Sequence, residues 1–192
     1  MKSIIRLLGI VLIAGTLSSC GYNSMVEKRE AVSKEWANVE SAYQRRADLI
    51  PNIVSTVKGE ANFEQETLTK VIEARAKATS IQLDPSKLNE ADIKKFEDAQ
   101  NELKGSLSRL MVTVEKYPDL KATEAFRELQ AQLEGTENRI NTERNRFNEA
   151  VNDYNAYIAK FPAVMTAKMF GFTSKGYFQA DKGSEKAPAV KF

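Results

Sequence analysis

The sequence predicts an all-α fold: an elongated antiparallel bundle of about four long helices, with an N-terminal lipid anchor and an irregular C-terminal tail. Three observations predict it. Apolar residues recur at three- and four-residue steps through most of the chain. Between Phe126 and Phe161 they fall at regular intervals of seven. The chain opens with two basic residues and a short apolar run that ends near its single cysteine, Cys20.

Residues 1–19 read as a signal peptide. Lys2 and Arg6 form its positive start, and Leu7 to Leu17 its apolar stretch of eleven residues. A membrane-spanning helix needs about 20 residues, so this stretch fits an export signal better than a span. Leu17-Ser18-Ser19-Cys20 looks like a bacterial lipobox, in which the cysteine thiol is acylated before cleavage. An ordinary cleaved signal, or an uncleaved anchor with an incidental cysteine, is the plainer alternative. Several acyl chains on one residue hold a protein stably to a membrane, whereas a single chain is marginal. Gly21-Tyr22-Asn23-Ser24 then reads as a flexible tether, so residues 20–24 comprise the lipidated cysteine and its linker. With no aspartate at position 21, the outer membrane is favoured in a cell with two membranes.

Residues 25–161 carry the bundle. Met25, Val32, Trp36, Val39, Tyr43, Ile50, Ile53 and Val57 share one stripe, which crosses Pro51 without losing phase. This predicts one long helix kinked near Ile50-Pro51, or two nearly collinear ones, with Gly59 as a weak point. Leu68, Val71, Arg75 and Ala78 continue the pattern to about Ser80. Asp84-Pro85-Ser86 is a loop, and Asn89 caps the next helix. That helix carries Phe96, Leu103, Leu107, Leu110, Val114 and Tyr117 before Pro118-Asp119 interrupts it. The last long helix holds Phe126, Leu133, Ile140, Phe147, Tyr154 and Phe161, with Leu129, Thr136, Ala150 and Tyr157 beside four of them. This is a coiled-coil-like seam that Pro162 ends. Residues 162–192 form a short helix over Ala163 to Phe170, closed by Gly171, and an aromatic tail whose last stretch, Asp181 to Phe192, is extended or disordered.

Composition excludes several chemistries. Removing Lys2 and Arg6 from 28 basic residues leaves 26 against 26 acids, so the mature chain is formally neutral and lacks the footprint of a nucleic-acid binder. Without histidine it has neither the usual neutral-pH base nor the commonest metal ligand. With one cysteine it has no internal disulfide, cysteine-rich zinc site or Cys–His nucleophile. No cofactor is expected.

Three blocks carry a family resemblance. The first is Trp36-Ala37-Asn38-Val39, followed by Gln44-Arg45-Arg46-Ala47-Asp48-Leu49-Ile50-Pro51-Asn52-Ile53-Val54 and Thr56-Val57-Lys58-Gly59. The second is Tyr117-Pro118-Asp119-Leu120-Lys121 with Leu129-Gln130. The third runs from Thr136-Glu137-Asn138-Arg139-Ile140 through Arg146-Phe147-Asn148 and Tyr154-Asn155 to Phe161-Pro162 and Gly171-Phe172. In order and spacing they resemble the LemA family of bacterial envelope proteins. The resemblance implies a helical bundle tethered at its N-terminus and supplies no catalytic residue. Many members keep an N-terminal membrane helix, whereas this chain has a lipobox.

Arg45, Arg46 and Asp48 form the candidate structural or binding cluster. Arg46 falls on the apolar stripe, where a charge needs a partner; Glu137 and Glu143 are candidates on a facing helix. A buried pair would fix helix register, and an exposed Arg46 would grip a partner's carboxylate or phosphate. Glu60, Glu64, Glu66 and Glu73 suit a solvated helix face better than paired catalytic carboxylates. The aromatic group Phe161, Phe170, Phe172, Tyr177 and Phe178 covers one end of the bundle or offers an apolar patch. The expected function is therefore a non-enzymatic, lipid-anchored envelope scaffold or protein-binding module, facing away from the cytoplasm. Its partners would be the membrane, through lipid on Cys20, and an envelope protein. The alternative is a periplasmic carboxylate-dependent hydrolase.

Overall fold

The computed structural model describes residues 2–60 and 63–179, with side chains from Gly21 onward. Every regular element among them is helical. The α-helices are α1 (Lys2–Lys58), α2 (Gln65–Ser80), α3 (Glu90–Val114), α4 (Pro118–Ala122), α5 (Glu124–Ala159) and α6 (Ala163–Phe170), with a single 3-10 turn at Pro85–Lys87. The all-α expectation holds.

Local chemistry sets the ends of these helices. α1 stops at Lys58, where Gly59 enters a turn. Asp84 caps the 3-10 turn by accepting a hydrogen bond from Ser86 N at 2.8 Å. Asn89 caps α3 by accepting from Asp92 N at 2.9 Å, as its sequence position predicts. Pro118 opens α4 in the first-turn position where its missing N–H costs nothing, and Thr123 caps α5 through Phe126 N. Gly171 closes α6 in the left-handed conformation, with φ of 74°, the terminator expected of it.

The faces that pack follow the seams. α1 and α5 run antiparallel: Lys28 sits over the Tyr157 ring, Trp36 meets Phe147, and Arg46 pairs with Glu137. α2 and α3 do likewise, with Lys77 on Glu102 and Gln100 on Ala78. Two apolar cores result. The first gathers Met25, Trp36, Phe96, Phe147, Tyr154 and Phe178; the second gathers Ile50, Ile53, Leu68, Leu103, Leu110 and Phe126. On α5 the buried set begins as Phe126, Ile140 and Phe147 and drifts onto Val151 and Ile158. That drift is expected when a 3.6-residue helix carries a seven-residue repeat.

Three local expectations need correction. Phe161 is not the last member of the seam: α5 ends at Ala159, and Phe161 is 81% exposed. A proline disfavours helical geometry in the residue before it, so the turn toward Pro162 starts early. Residues 21–24, expected as a flexible tether, continue α1, and the Tyr22 ring lies 4.9 Å from Phe170 and 5.7 Å from Phe172. Those ring contacts seat the segment against α6 and the start of the tail. On α2 the buried stripe is Leu68, Val71, Ala74 and Ala78, and Arg75 stands beside it.

Arg75 has a role of its own. Pro51 lies inside α1 without an N–H, so the carbonyl one turn earlier, on Ala47, loses its helical donor. Arg75 Nε supplies the replacement, donating to Ala47 O at 2.8 Å from the neighbouring helix. A proline that weakens α1 thereby becomes a tie between α1 and α2. Arg75→Ala should cost about 1–2 kcal/mol in urea unfolding, because it strands a half-buried carbonyl. In a Pro51→Ala background the same substitution should cost distinctly less, since residue 51 then donates to Ala47. Equal costs in both backgrounds would refute the assignment.

Candidate functional site

Arg46 lies between the two cores and is 3% exposed. Its Nη1 donates to Glu137 Oε2 at 3.1 Å on α5, and its Nη2 donates to Gln100 on α3, at 2.7 Å to Oε1 and 3.1 Å to the backbone carbonyl. Gln100 in turn donates to Ala78 O on α2 at 3.3 Å. The guanidinium carbon lies 5.0 Å from the Tyr43 ring centre, and burial pushes the Tyr43 hydroxyl up to about 12, opposed by the Arg144 and Arg46 charges. Lys104 joins Glu137 at 2.7 Å. One polar layer thus touches all four long helices.

The rest of the candidate cluster is not drawn in. Arg45 is exposed, and Asp48 accepts from Gln44 at 2.7 Å on its own helix. Of the two expected partners, Glu137 pairs with Arg46, while Glu143 is approached by Arg139 and Arg146 of its own helix. The candidate glutamates stand apart. Glu64 pairs with Lys116 and Glu66 with Lys70, whose hydrogen bond and charge lower the Glu66 carboxyl. No group of three metal-ligating side chains occurs among the described residues.

Beside the polar layer, α1, α2, α3 and the loop after α2 border a groove of about 460 Å³, lined by Glu40, Tyr43, Ile81, Leu83, Phe96 and Gln100. Glu40 is its single carboxylate, raised by burial. A lone carboxyl in an open groove can protonate or bind a cation. The two-carboxylate arrangement of a glycosidase is absent from it.

A second feature is the course of the tail. Residues 172–179 run extended along α5. The Asn155 amide accepts from Lys175 N at 2.8 Å and donates to Lys175 O at 2.9 Å. The Asn148 amide does the same for Phe178, at 2.9 and 3.0 Å. Each asparagine therefore replaces a neighbouring strand for one tail residue. On the other side Gly176 N donates to Leu88 O at 3.1 Å, and a Cβ at Gly176 would lie 2.7 Å from Glu90 Cα. Lys175, buried, donates to Ser86 O; burial, then the Arg29 charge, lowers its ammonium. The Phe178 ring enters the first core, stacked at 6.1 Å on Trp36 and edge-on at 5.5 Å to Phe147. The aromatic group thus divides: Phe178 is core, Phe172 is half-buried, and Phe161, Phe170 and Tyr177 are exposed.

The first and third blocks of the sequence resemblance supply several of these contacts, and the chain matches the LemA family over residues 35–192. It belongs to the LemA family. Among its relatives is "Magnetosome protein MamQ 2" of Paramagnetospirillum magneticum, 28% identical over 97% of this chain and 74% of the relative. "Protein LemA" of Metamycoplasma hominis is 24% identical over 83% of this chain and 69% of its own length. "Magnetosome protein MamQ" of Magnetospirillum gryphiswaldense is 25% identical over 88% of this chain and 68% of its own length. None of these names specifies a reaction.

In this LemA-family chain the first block holds Arg46, Ala47 and Pro51, the second is α4 with its entry, and the third holds Glu137, Asn148, Tyr154 and Asn155. The asparagines escaped sequence reasoning because an asparagine on a charged helix reads as solvated surface. Their shared spacing of seven, on the face beside Phe147 and Tyr154, was the available signal. Cys20, the expected lipid site, and the stretch 181–192, expected to be extended or disordered, lie outside the residues whose side chains are described. Among the described residues no helix is long and apolar enough to cross a membrane.

Two outcomes are expected. Glu137→Leu should destabilise the chain by about 2–4 kcal/mol in urea unfolding, because it leaves a buried guanidinium half-paired. Adding Arg46→Leu should recover part of that loss; a double variant as weak as the sum of the singles would contradict the pairing. Asn148→Ala with Asn155→Ala should abolish slow hydrogen exchange at Lys175 and Phe178 and cost about 2 kcal/mol, while the amides of α3 stay protected.

Proposed function

We propose that this LemA-family chain is a lipid-anchored cell-envelope protein whose antiparallel helical bundle acts as a scaffold or protein-binding module, without a reaction of its own. The observation that carries this reading is how its interior polar groups are used. Arg46, Gln100 and Glu137 hold one another across the helices, and the groove beside them offers one carboxylate. Such groups set the register of packed helices. A hydrolase using paired carboxylates is disfavoured by the same groove.

Location is read from the N-terminus and the relatives. A basic start, a short apolar run and Leu17-Ser18-Ser19-Cys20 suit export and acylation of Cys20. Relatives named as magnetosome proteins agree with residence at a membrane. The bundle would face away from the cytoplasm, on the outer membrane where a cell has two, and its partners would be the membrane and an envelope protein.

Metabolic labelling tests the anchor directly. Radiolabelled palmitate should enter the wild-type chain and be absent from Cys20→Ala, which should also leave the membrane fraction. Label that persists in Cys20→Ala, or a wild-type chain recovered wholly in the soluble fraction, would overturn the anchoring. For the scaffold role, a photocrosslinker at exposed Arg45 should yield one discrete adduct with an envelope protein in intact cells; hydrolysis of a glycan or peptide by the purified chain would remove the non-enzymatic reading.

A further inference from the structure

α6 and the start of the described part of α1 form one end of the molecule. Gly21 borders an apolar recess of about 270 Å³ with Tyr157, Phe161, Pro162 and Ala163, and Tyr22 packs on Phe170 at the far end of α6. Both ends of α6 therefore lie within a turn of Gly21. The helix is seated by Ala163 and Ala167, which are buried four residues apart. Its opposite side is unusually bare for such apolar residues: Met165 is 65% exposed and Met169 71%, and Phe161, just before the helix, is 81% exposed. Clustered apolar exposure of this kind marks a contact surface.

Charge and position identify what fits it. From Tyr154 to Ala180 the chain has Lys160, Lys168 and Lys175 and no acid. Lys160 and Lys168 are exposed and flank the methionines, whereas Lys175 is buried away from them. A short helix with flexible thioethers outward, an exposed phenylalanine at its entry and lysines at its rim has the make-up of an interfacial element that lies in a lipid headgroup layer. The residue before Gly21 is Cys20, and the apolar run from Leu7 precedes it. Whether the chain is held by acyl groups on Cys20 or by that run itself, Gly21 stands where the bilayer begins, and α6 stands beside Gly21.

We infer that the outward face of α6, Met165 and Met169, with Phe161 before it, docks into the surface of an anionic lipid bilayer, with the recess beside Gly21 open to an acyl chain. The inference rests on the membrane anchoring proposed above and adds a second, non-covalent foothold. Two attachments hold the end of the bundle against the membrane, where a single tether would let it swing. An apolar protein partner is the competing occupant.

The single native tryptophan makes the test simple, because Trp36 is fully buried and shielded from lipid. The full chain, as wild type, Met165→Trp or Val112→Trp, is reconstituted on phosphatidylcholine–phosphatidylglycerol vesicles with brominated acyl chains, and binding is read by flotation. Val112 is 69% exposed at the far end of α3 and serves as the apolar control. The fluorescence added by Met165→Trp should fall by about half on brominated vesicles, as burial at headgroup depth requires, while Val112→Trp should match the wild type. Raising salt should weaken the effect by screening the lysines. Floated Met165→Trp that is not quenched overturns the docking and leaves the anchor standing. Quenching of Val112→Trp to the same degree also overturns it, by showing contact without orientation. A wild-type chain that does not float removes both readings.

Discussion

The buried guanidinium of Arg46 is the constraint on which the helix arrangement depends. An apolar seam that repeats every seven residues packs nearly as well after a slip of one repeat, so apolar contact alone leaves register weakly determined. Arg46 removes that freedom. It sits between the two cores, and a slip of α5 or α3 would carry Glu137 or Gln100 away and leave a charge in low dielectric. Gln100 passes the requirement on to α2 through Ala78, and Arg75 closes the circuit from α2 to Ala47, beside Arg46 itself. The layer is only a few residues thick, yet each long helix contributes to it.

The same layer explains how α1 can be so long with a proline inside it. Pro51 faces solvent, so the ring displaces no core side chain, and the carbonyl it strands is reached by a donor from another helix. The cost of the proline is local. Its compensation is tertiary, and it adds specificity because only a correctly placed α2 can provide it.

Much of this fold is legible in the sequence, and most of the illegible parts share a cause. The stripes of α1 and α5, the Asn89 cap, the Gly171 terminator and the need of Arg46 for a carboxylate, met by one of its two candidates, all follow from periodicity, capping chemistry or the cost of a buried charge. Those are local rules or rules about one side chain. The errors at Tyr22 and Arg75 arise where a residue answers to a segment remote in sequence: the rings of Phe170 and Phe172, and the carbonyl stranded by Pro51. The error at Phe161 is local, set by the proline that follows it. The family was legible in some of the same residues, since its first block carries Arg46 and its third Glu137. The tail was the hardest to foresee. Glycine, serine and aromatics without period suggest irregular chain, and only the facing asparagines give it a track.

That track has a metric. Seven residues of helix advance about 10.5 Å, and three residues of extended chain advance about 10 Å. Asn148 and Asn155 are seven apart, and the residues they hold, Phe178 and Lys175, are three apart in the opposite sense. Two lattices of different pitch are therefore commensurate along this edge. Asn141, exposed one further interval along α5, lies on the same lattice. Because each asparagine reads only the backbone amide and carbonyl, the track is nearly blind to the side chains it carries. Length is what it reads: a heptad gained or lost between the asparagines keeps registry only if the tail changes by three residues with it.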